Sequence, residues 1–314
     1  MSDFKLTPTE ISALRTIARE GEVSLQELSR ALKKSLPYTS QIESSLVSKG
    51  IIEVDRDGRS NKLRFSERIH GIALRLFITE FEHLSLERIL SFSNIEVLSS
   101  LIGKPVKLDE IVDETNLSKR TVTSSLTNLK ALGVVDMTKD FRYQISERFS
   151  TLRHALVELR RYLNERMARE VSPDAVIIWQ WKKEFLFRTR TPIKRKDCLL
   201  TALSKAPDFG IQLFLPDSYY YFRSPFKKRI RVEDVILHAL LIGRTDARVL
   251  MVVLLLWRKH ERGLKTSYLM REAAKYGLKT LVTHIDKFLK EGVSEWEYLP
   301  SMEEFKKKAS EYGL

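Results

Sequence analysis

Two stretches of this chain gather short polar and basic side chains at spacings that a helix would bring to one face. The first is Tyr38, Thr39, Ser40, Gln41, Ser44 and Ser45; the second is Lys119, Arg120, Thr121, Thr123, Ser124, Thr127 and Asn128. Glu43 is the one carboxylate among them. Such faces can approach phosphates and base edges without charge repulsion, so the chemistry they suit is non-covalent gripping rather than bond making. Arg56, Arg59 and Lys62 follow the first stretch, and Lys139 and Arg142 follow the second, each able to add a contact to a phosphate backbone.

Residue types that usually carry catalysis lack the company they need. Cys198 is the single cysteine, which excludes an internal disulfide framework and a multi-thiolate zinc site. Within Asp197-Cys198-Leu199-Leu200 it reads as a buried apolar position rather than a nucleophile. His238 lies on a largely apolar helix and reads as a packed core histidine. Glu233 and Asp234 are adjacent on that helix, so their carboxylates point apart and make a poor metal pair. The six histidines show neither His-x-Glu nor His-Glu-x-x-His spacing, and the 12 glycines form no phosphate-cradling loop. The expectation is a protein that is not an enzyme and uses no cofactor and no metal.

Composition agrees with a polyanionic partner. The 314 residues carry 54 Lys+Arg against 41 Asp+Glu, a formal charge of +13, with 43% hydrophobic and 30% charged residues. That balance supports ordinary cores and favours nucleic acid or an anionic surface. The start, MSDFKLTPTE, has no basic-then-apolar signal pattern. The longest apolar run, Val249 to Trp257, is nine residues, short of the ~20 needed to span a bilayer. The expected setting is cytoplasmic and nucleoid-associated, with no membrane contact.

The elements that must position the polar faces come in a repeated order. Thr7-Pro8-Thr9-Glu10 combines a capping residue, a proline for the first turn and a glutamate for a capping box, and Ile11, Leu14, Ile17 and Ala18 follow at helical spacing. Ser24-Leu25-Gln26-Glu27 opens a second helix with Leu25, Leu28 and Leu32 inward. A third runs from Pro37 to Lys49 with Ile42, Leu46 and Val47 on its core face and Gly50 as its stop; proline is tolerated in that first turn. Ile51–Val54 and Lys62–Phe65 read as two strands around the turn Arg56–Asn61.

Phe92 to Ser146 repeats the plan, with Gly133 standing where Gly50 stands, 83 residues on. Ser93-Asn94-Ile95-Glu96 reads as another capping box, with Ile95, Leu98 and Ile102 running to Gly103. A second helix spans about Leu108 to Asn116. Ser118 caps a third with Val122, Leu126, Leu129 and Leu132 inward. Val134–Met137 and Arg142–Ile145 form the strand pair. Ile69, Ala73, Leu76, Phe77 and Phe81 predict a connecting helix between the copies. After them, Leu152, Leu156, Leu159 and Leu163 predict a longer helix whose other face carries Arg153, Arg160, Arg161, Arg166 and Arg169.

Three helices and a two-strand wing are the parts of a winged helix-turn-helix. Leu6-Thr7-Pro8-x-Glu10, Lys49-Gly50-Ile51-Ile52 and Asp57-Gly58-Arg59-Ser60-Asn61-Lys62-Leu63 resemble the MarR-type winged-helix regulators. Residues 92 to 146 are similar to the same superfamily, with Leu129-Lys130-x-Leu132-Gly133-Val134 as the familiar stretch. The resemblance covers roughly residues 1 to 150. It departs from the single-domain family in placing two units in tandem, so one chain can reach two half-sites.

A boundary at Ser172-Pro173-Asp174 opens a third region with strands at Val176–Trp181, Phe185–Arg190, Ile211–Leu215 and Tyr219–Phe222. Helices follow from Val232 to Leu289, and a last amphipathic segment lies near Met302 to Tyr312. Arg188 to Arg231 holds eleven basic residues against three acids, more than half the excess of the whole chain. Lys194, Arg195, Lys196, Lys227, Lys228 and Arg229 are candidates there for extra nucleic-acid contact. The interleaved rings Phe185, Phe187, Tyr219, Tyr220, Tyr221, Phe222 and Phe226 read either as stacking groups or, preferably, as the buried face of a sheet. Residues 232 to 289 are weakly similar to the C-terminal domain of the AbiEi type of antitoxin, which implies contact with a partner protein. The nucleotidyltransferase metal motif is absent from the sequence.

The expected fold is mostly α with small β wings, an α+β chain. Its parts are a winged helix at 1–68, a connecting helix at 69–91, a second winged helix at 92–148, a linker helix at 149–172 and a mixed α/β domain at 173–314. The expected function is sequence-selective binding of double-stranded DNA, in transcription regulation. The C-terminal domain would serve partner contact, dimerisation or extra DNA contact. One alternative is a replication-origin binding factor, since archaeal initiators of the winged-helix type also carry tandem copies. Another is an antitoxin or interaction scaffold acting through the C-terminal domain.

Overall fold

The computed structural model describes residues 4–57, 60–213, 218–293 and 295–314, without the side chains of Arg56, Asp57 and Ser60. The fold is α+β, with helices predominating over small antiparallel sheets. The chain comprises two compact units, Met1–Leu163 and Asn164–Leu314, and the division falls inside a long helix.

In the first unit, Thr7 and Glu10 close a reciprocal capping box on α1 (Pro8–Glu20), and Ser24 and Glu27 close another on α2 (Leu25–Leu32). Between them runs the short β1 (Glu22–Ser24). After α3 (Leu36–Ser48), the left-handed Gly50 turns the chain into the hairpin β2 (Ile52–Asp57) and β3 (Ser60–Phe65). The sheet has three strands in the order β1-β3-β2, one more than the sequence pattern predicts. Val23 opposite Leu63 makes the extra strand, which is too short to show an alternation of its own.

α4 (Ile69–Glu80) and α5 (Leu86–Leu90) lead to the second copy: α6 (Ser93–Ser100), α7 (Leu108–Thr115), α8 (Lys119–Ala131), then the hairpin β4 (Val135–Met137) and β5 (Tyr143–Ile145). Val106 bridges Tyr143 and gives this hairpin a third edge, much as β1 does for the first. α9 (Ser150–Val171) follows. Ile11, Leu14, Leu28 and Leu46 of the first copy and Leu98, Ile111, Leu126 and Leu129 of the second belong to one continuous core with Leu152 and Leu156. Each such fully buried leucine or isoleucine contributes about 1.5–3 kcal/mol.

Four expectations fail here. Ser93 and Glu96 make no capping box, because Ser93 bonds the Ser125 hydroxyl at 3.2 Å and the buried Glu96 pairs with Arg160 at 3.6 Å. Arg160 is therefore drawn inward rather than lying on an open basic face. Val47 is exposed rather than in the core. On α4 the core face is Ala73, Leu74, Phe77 and Ile78, while Ile69 and Leu76 are 65% and 57% exposed.

In the second unit, β6 (Val176–Trp181), β7 (Glu184–Thr189), β8 (Leu199–Leu200) and β9 (Tyr219–Arg223) form an antiparallel sheet in the order β6-β7-β9-β8. A 3-10 helix, Ala202–Phe209, precedes β9, and the segment Ile211–Leu213 is not a strand; Phe214 and Leu215 lie outside the described residues. Helices α10 (Val232–Gly243), α11 (Ala247–His260), α12 (Thr266–Lys275), α13 (Lys279–Glu291) and α14 (Met302–Glu311) complete the unit. One sheet face, with Leu186, Tyr220 and Phe222, joins the core of α10 and α11. The other, with Phe185, Phe187 and Tyr221, packs on Ala168 of α9. Burial on both faces explains why aromatic residues run consecutively through β9.

Candidate nucleic-acid interface

α8 carries the most complete of the polar faces. Ser118 accepts a hydrogen bond from the Thr121 N–H at 3.1 Å and fixes the start of the helix. Val122, Ser125, Leu126 and Leu129 turn inward, which leaves Lys119, Arg120, Thr123, Ser124, Thr127 and Asn128 exposed on the opposite side. Thr121 is half-buried, its hydroxyl 2.8 Å from that of Ser118. No carboxylate lies on α8. Lys119, whose side chain is 66% exposed, pairs with Asp109 of α7 at 3.1 Å. Arg120 makes no ion pair among the described residues, and with Ser124 and Asn128 it lines a polar groove against Ser91–Asn94.

The β4–β5 hairpin stands in the same copy. Its tip is closed by the Thr138 N–H donating to the Arg142 carbonyl at 2.8 Å and the Phe141 N–H donating to the Thr138 carbonyl at 3.1 Å. Lys139 is exposed. Arg142 is half-buried: it donates to the Pro105 carbonyl at 3.4 Å and lies 3.7 Å from Glu110, so it anchors the hairpin as well as adding charge.

The first copy offers less than its sequence suggests. On α3, Tyr38, Gln41 and Ser44 are exposed and Ser40 is half-buried. Thr39 is fully buried and its hydroxyl donates to the Ser35 carbonyl at 3.0 Å, so it cannot contact a ligand. Ser45 is likewise turned inward, donating to Glu10 at 2.6 Å. Burial opposes the charge of Glu10, but Lys49, Ser45 and the Thr7 N–H together hold its carboxyl below the usual range. Burial raises the Glu43 carboxyl. Lys62 is shared with Glu22 at 3.4 Å. Arg59 and the side chain of Arg56 lie outside the described residues. The turn before α3 places exposed Lys33 and Lys34 beside that helix, with Lys33 left-handed at φ 53°. The Lys33-Lys34-Ser35 run was the signal for them, since cations just ahead of a polar helix share its partner.

In the second unit, Lys194, Lys196, Lys228 and Arg229 are exposed. Arg195 is exposed too but grips Asp197 through two hydrogen bonds, of 2.9 and 3.0 Å, and Asp197 also takes Arg223 at 3.1 Å. Lys227 departs from expectation. Its ammonium bonds the buried Asp234 at 2.5 Å, lies 3.4 Å from Glu272 and sits over the Phe222 and Tyr268 rings. Burial alone would discharge the pair, yet mutual attraction and the Tyr268 hydroxyl, 2.7 Å from Asp234, keep Asp234 low and Lys227 high. Lys227 is thus a core cation. The rings Phe185, Phe187, Tyr220, Tyr221 and Phe222 are buried and offer no stacking surface.

The residues considered for catalysis are occupied structurally. His238 shares hydrogen bonds with the Thr201 hydroxyl at 2.7 Å and the Tyr276 hydroxyl at 3.0 Å and stacks on Phe222. Burial pushes it down to about 3. Glu233 accepts from the Lys265 N–H at 2.8 Å. Burial raises the Cys198 thiol to about 11, far from a reactive thiolate. Among the described residues, no helix is long and apolar enough to cross a membrane.

A family model described as HVO_2833_C, C-terminal, matches residues 195–314, which takes in β8, β9 and all the helices from α10 onward but neither β6 nor β7. No curated protein matches the chain.

Proposed function

We propose that this protein binds double-stranded DNA sequence-selectively through two winged-helix modules in tandem, and that it regulates transcription. The observation that carries the reading is the solvent face of α8: six exposed polar or basic side chains on a carboxylate-free helix, with Arg120 in no ion pair among the described residues and Lys139 on the hairpin of the same module. A helix of this kind can enter a major groove, with Arg120 reaching a guanine edge or a phosphate and the threonine, serine and asparagine side chains reading neighbouring bases. The hairpin cations then hold the backbone. α3 plays the lesser part, through Tyr38, Gln41, Ser44 and the preceding Lys33 and Lys34. The mechanism is binding alone.

Genome-wide recovery of bound DNA at physiological salt tests the reading. Enrichment at promoters supports regulation, enrichment at an origin moves the protein to the initiator-like role, and no enrichment removes DNA binding. A second reading has its own observation. β6 is an edge strand with no charged residue, and its ends, Val176 and Trp181, are exposed. Such an edge can accept a strand from a partner protein, as a scaffold or antitoxin role requires. Pull-down of one stoichiometric protein by the full chain, lost when Ile178 is replaced by proline, would favour it.

A further inference from the structure

Phe141 stands at the tip of the β4–β5 hairpin with 73% of its surface exposed, more than any other large hydrophobic residue described. Its backbone is left-handed at φ 57°. That conformation suits glycine or asparagine and penalises a bulky side chain, so local folding gives no reason for phenylalanine there. The ring makes no aromatic contact among the described residues, and hydrogen bonds fix the hairpin backbone that carries it. Thr138 closes the tip from both sides, since its N–H donates to the Arg142 carbonyl and its hydroxyl accepts from the Arg142 N–H at 3.2 Å. Below the tip, Val106 and Tyr143 exchange two backbone hydrogen bonds, of 2.7 and 3.0 Å. In sequence Phe141 stands between the exposed Asp140 and the half-buried Arg142, with the exposed Lys139 one residue further back, and Met137, also exposed, ends the strand beneath it.

An exposed apolar ring on a hydrogen-bonded hairpin tip, with the exposed Lys139 two residues before it, is the arrangement of a wedge. We propose that Phe141 enters the groove beside the one taken by α8 and partly unstacks a base step, with the exposed Lys139 of the same tip lying on an adjacent phosphate. The inference rests on the DNA-binding reading and adds a deformation to it. Sequence preference then follows partly from how readily a step opens, with flexible pyrimidine–purine steps favoured even where no side chain reads a base.

Salt dependence separates the wedge from a charge contact. In the full-length chain on a mixed-sequence duplex, Phe141→Ala should weaken binding about tenfold, in line with the loss of one aromatic–base contact. The slope of log affinity against log salt should not change, because no phosphate contact is lost. Lys139→Ala should instead lower that slope by about one unit. Thymines made reactive to permanganate by the wild type should lose their reactivity with Phe141→Ala and keep it with Phe141→Trp. With 73% of its surface exposed the ring adds little to the core, so these variants should fold. Unchanged affinity and unchanged thymine reactivity in Phe141→Ala would overturn the wedge while leaving DNA binding intact. A wild-type chain that holds no duplex at any salt would overturn both.

Discussion

The Tyr162 ring of α9 lies on the His70 ring of α4 with centroids 3.9 Å apart and planes within 17°. His70 in turn donates from Nε2 to the Gly50 carbonyl at 2.6 Å, and the Arg68 guanidinium sits over the Tyr162 ring at 5.7 Å. The stack ties the helix after the second copy to the α3–β2 junction of the first. Two copies that share one core are thereby fixed in register, which matters for a protein proposed to reach two sites on one duplex.

Gly50 is the sensitive point of that stack. It is left-handed at φ 70°, and a Cβ there would fall on the Tyr162 hydroxyl. The backbone conformation costs an ordinary residue about 1–2 kcal/mol, and displacing the stacked ring adds to it. Gly50→Ala should therefore destabilise the first unit by about 2–4 kcal/mol in denaturant unfolding followed by far-ultraviolet circular dichroism. On a Tyr162→Ala background the same change should cost only the backbone part. Equal costs on both backgrounds would show that the hydroxyl is not what Gly50 makes room for.

Much of the first unit was legible because its helix starts are local. Thr7 with Glu10, and Ser24 with Glu27, cap within four residues of chain, and the structure has both boxes. Ser93 with Glu96 matched the same pattern and failed, because Arg160 and Ser125, distant in sequence, claim those side chains. Thr39 failed for a related reason: on a helix rich in serine and threonine, polarity does not mark the solvent side, and a hydroxyl can bury itself by bonding a carbonyl of the previous turn. Lys227 looks like a surface cation in a basic run, but its partner Asp234 lies in the next helix and the rings around it are core. A lone aromatic residue in a turn carries no periodicity, so the sequence does not single out Phe141; its exposure and backbone conformation mark it.

Arg120 and Lys119 should differ in their effect on duplex binding, although they are neighbours. Arg120 makes no ion pair among the described residues, whereas the Lys119 ammonium is already placed on Asp109. Arg120→Ala should lower the salt slope by about one unit for the lost phosphate contact. Lys119→Ala should lower it less, and Asp109→Ala should strengthen binding by releasing Lys119. Their ion pair is exposed and worth at most about 1 kcal/mol, so the gain should stay within about fivefold. A larger loss from Lys119→Ala than from Arg120→Ala, measured by fluorescence anisotropy across salt concentrations, would reverse this assignment of roles.

Lys227 and Lys228 are adjacent basic residues with opposite expectations. Removing Lys227 strands the Asp234 carboxylate, whose side chain is 1% exposed, and an unpaired buried charge costs about 3–5 kcal/mol. Lys228→Ala, on the exposed surface, should change stability by no more than about 0.5 kcal/mol. Replacing Lys227 with Met and Asp234 with Asn together should cost much less than the sum of the single changes. Thermal unfolding of the four variants measures this, and additive losses would show that the two groups do not depend on each other.

His238 makes the stability of the second unit depend on mild acid. The folded protein holds it neutral, down to about 3 from an ordinary 6.5, because burial denies water to the charged ring. Asp234 pulls the other way, while Lys227 and Lys275 reinforce the neutral form. The unfolded chain binds the proton from about pH 6.5 downward and the folded one does not, so stability is complete above that pH and declines as the pH falls towards 3. The loss has a limiting slope of about 1.4 kcal/mol per pH unit. Asp234, itself held below its ordinary 3.8, begins to contribute only at the acid end of that window. All four tryptophans, Trp179, Trp181, Trp257 and Trp296, belong to this unit, so their fluorescence reports its unfolding selectively. In urea at pH 7 and pH 5 the wild type should lose about 2 kcal/mol. His238→Gln keeps polar groups for Thr201 and Tyr276 without a titrating ring, so it should start lower at pH 7 and lose much less between the two pH values. Parallel losses in both proteins would mean that the proton taken up on unfolding goes elsewhere.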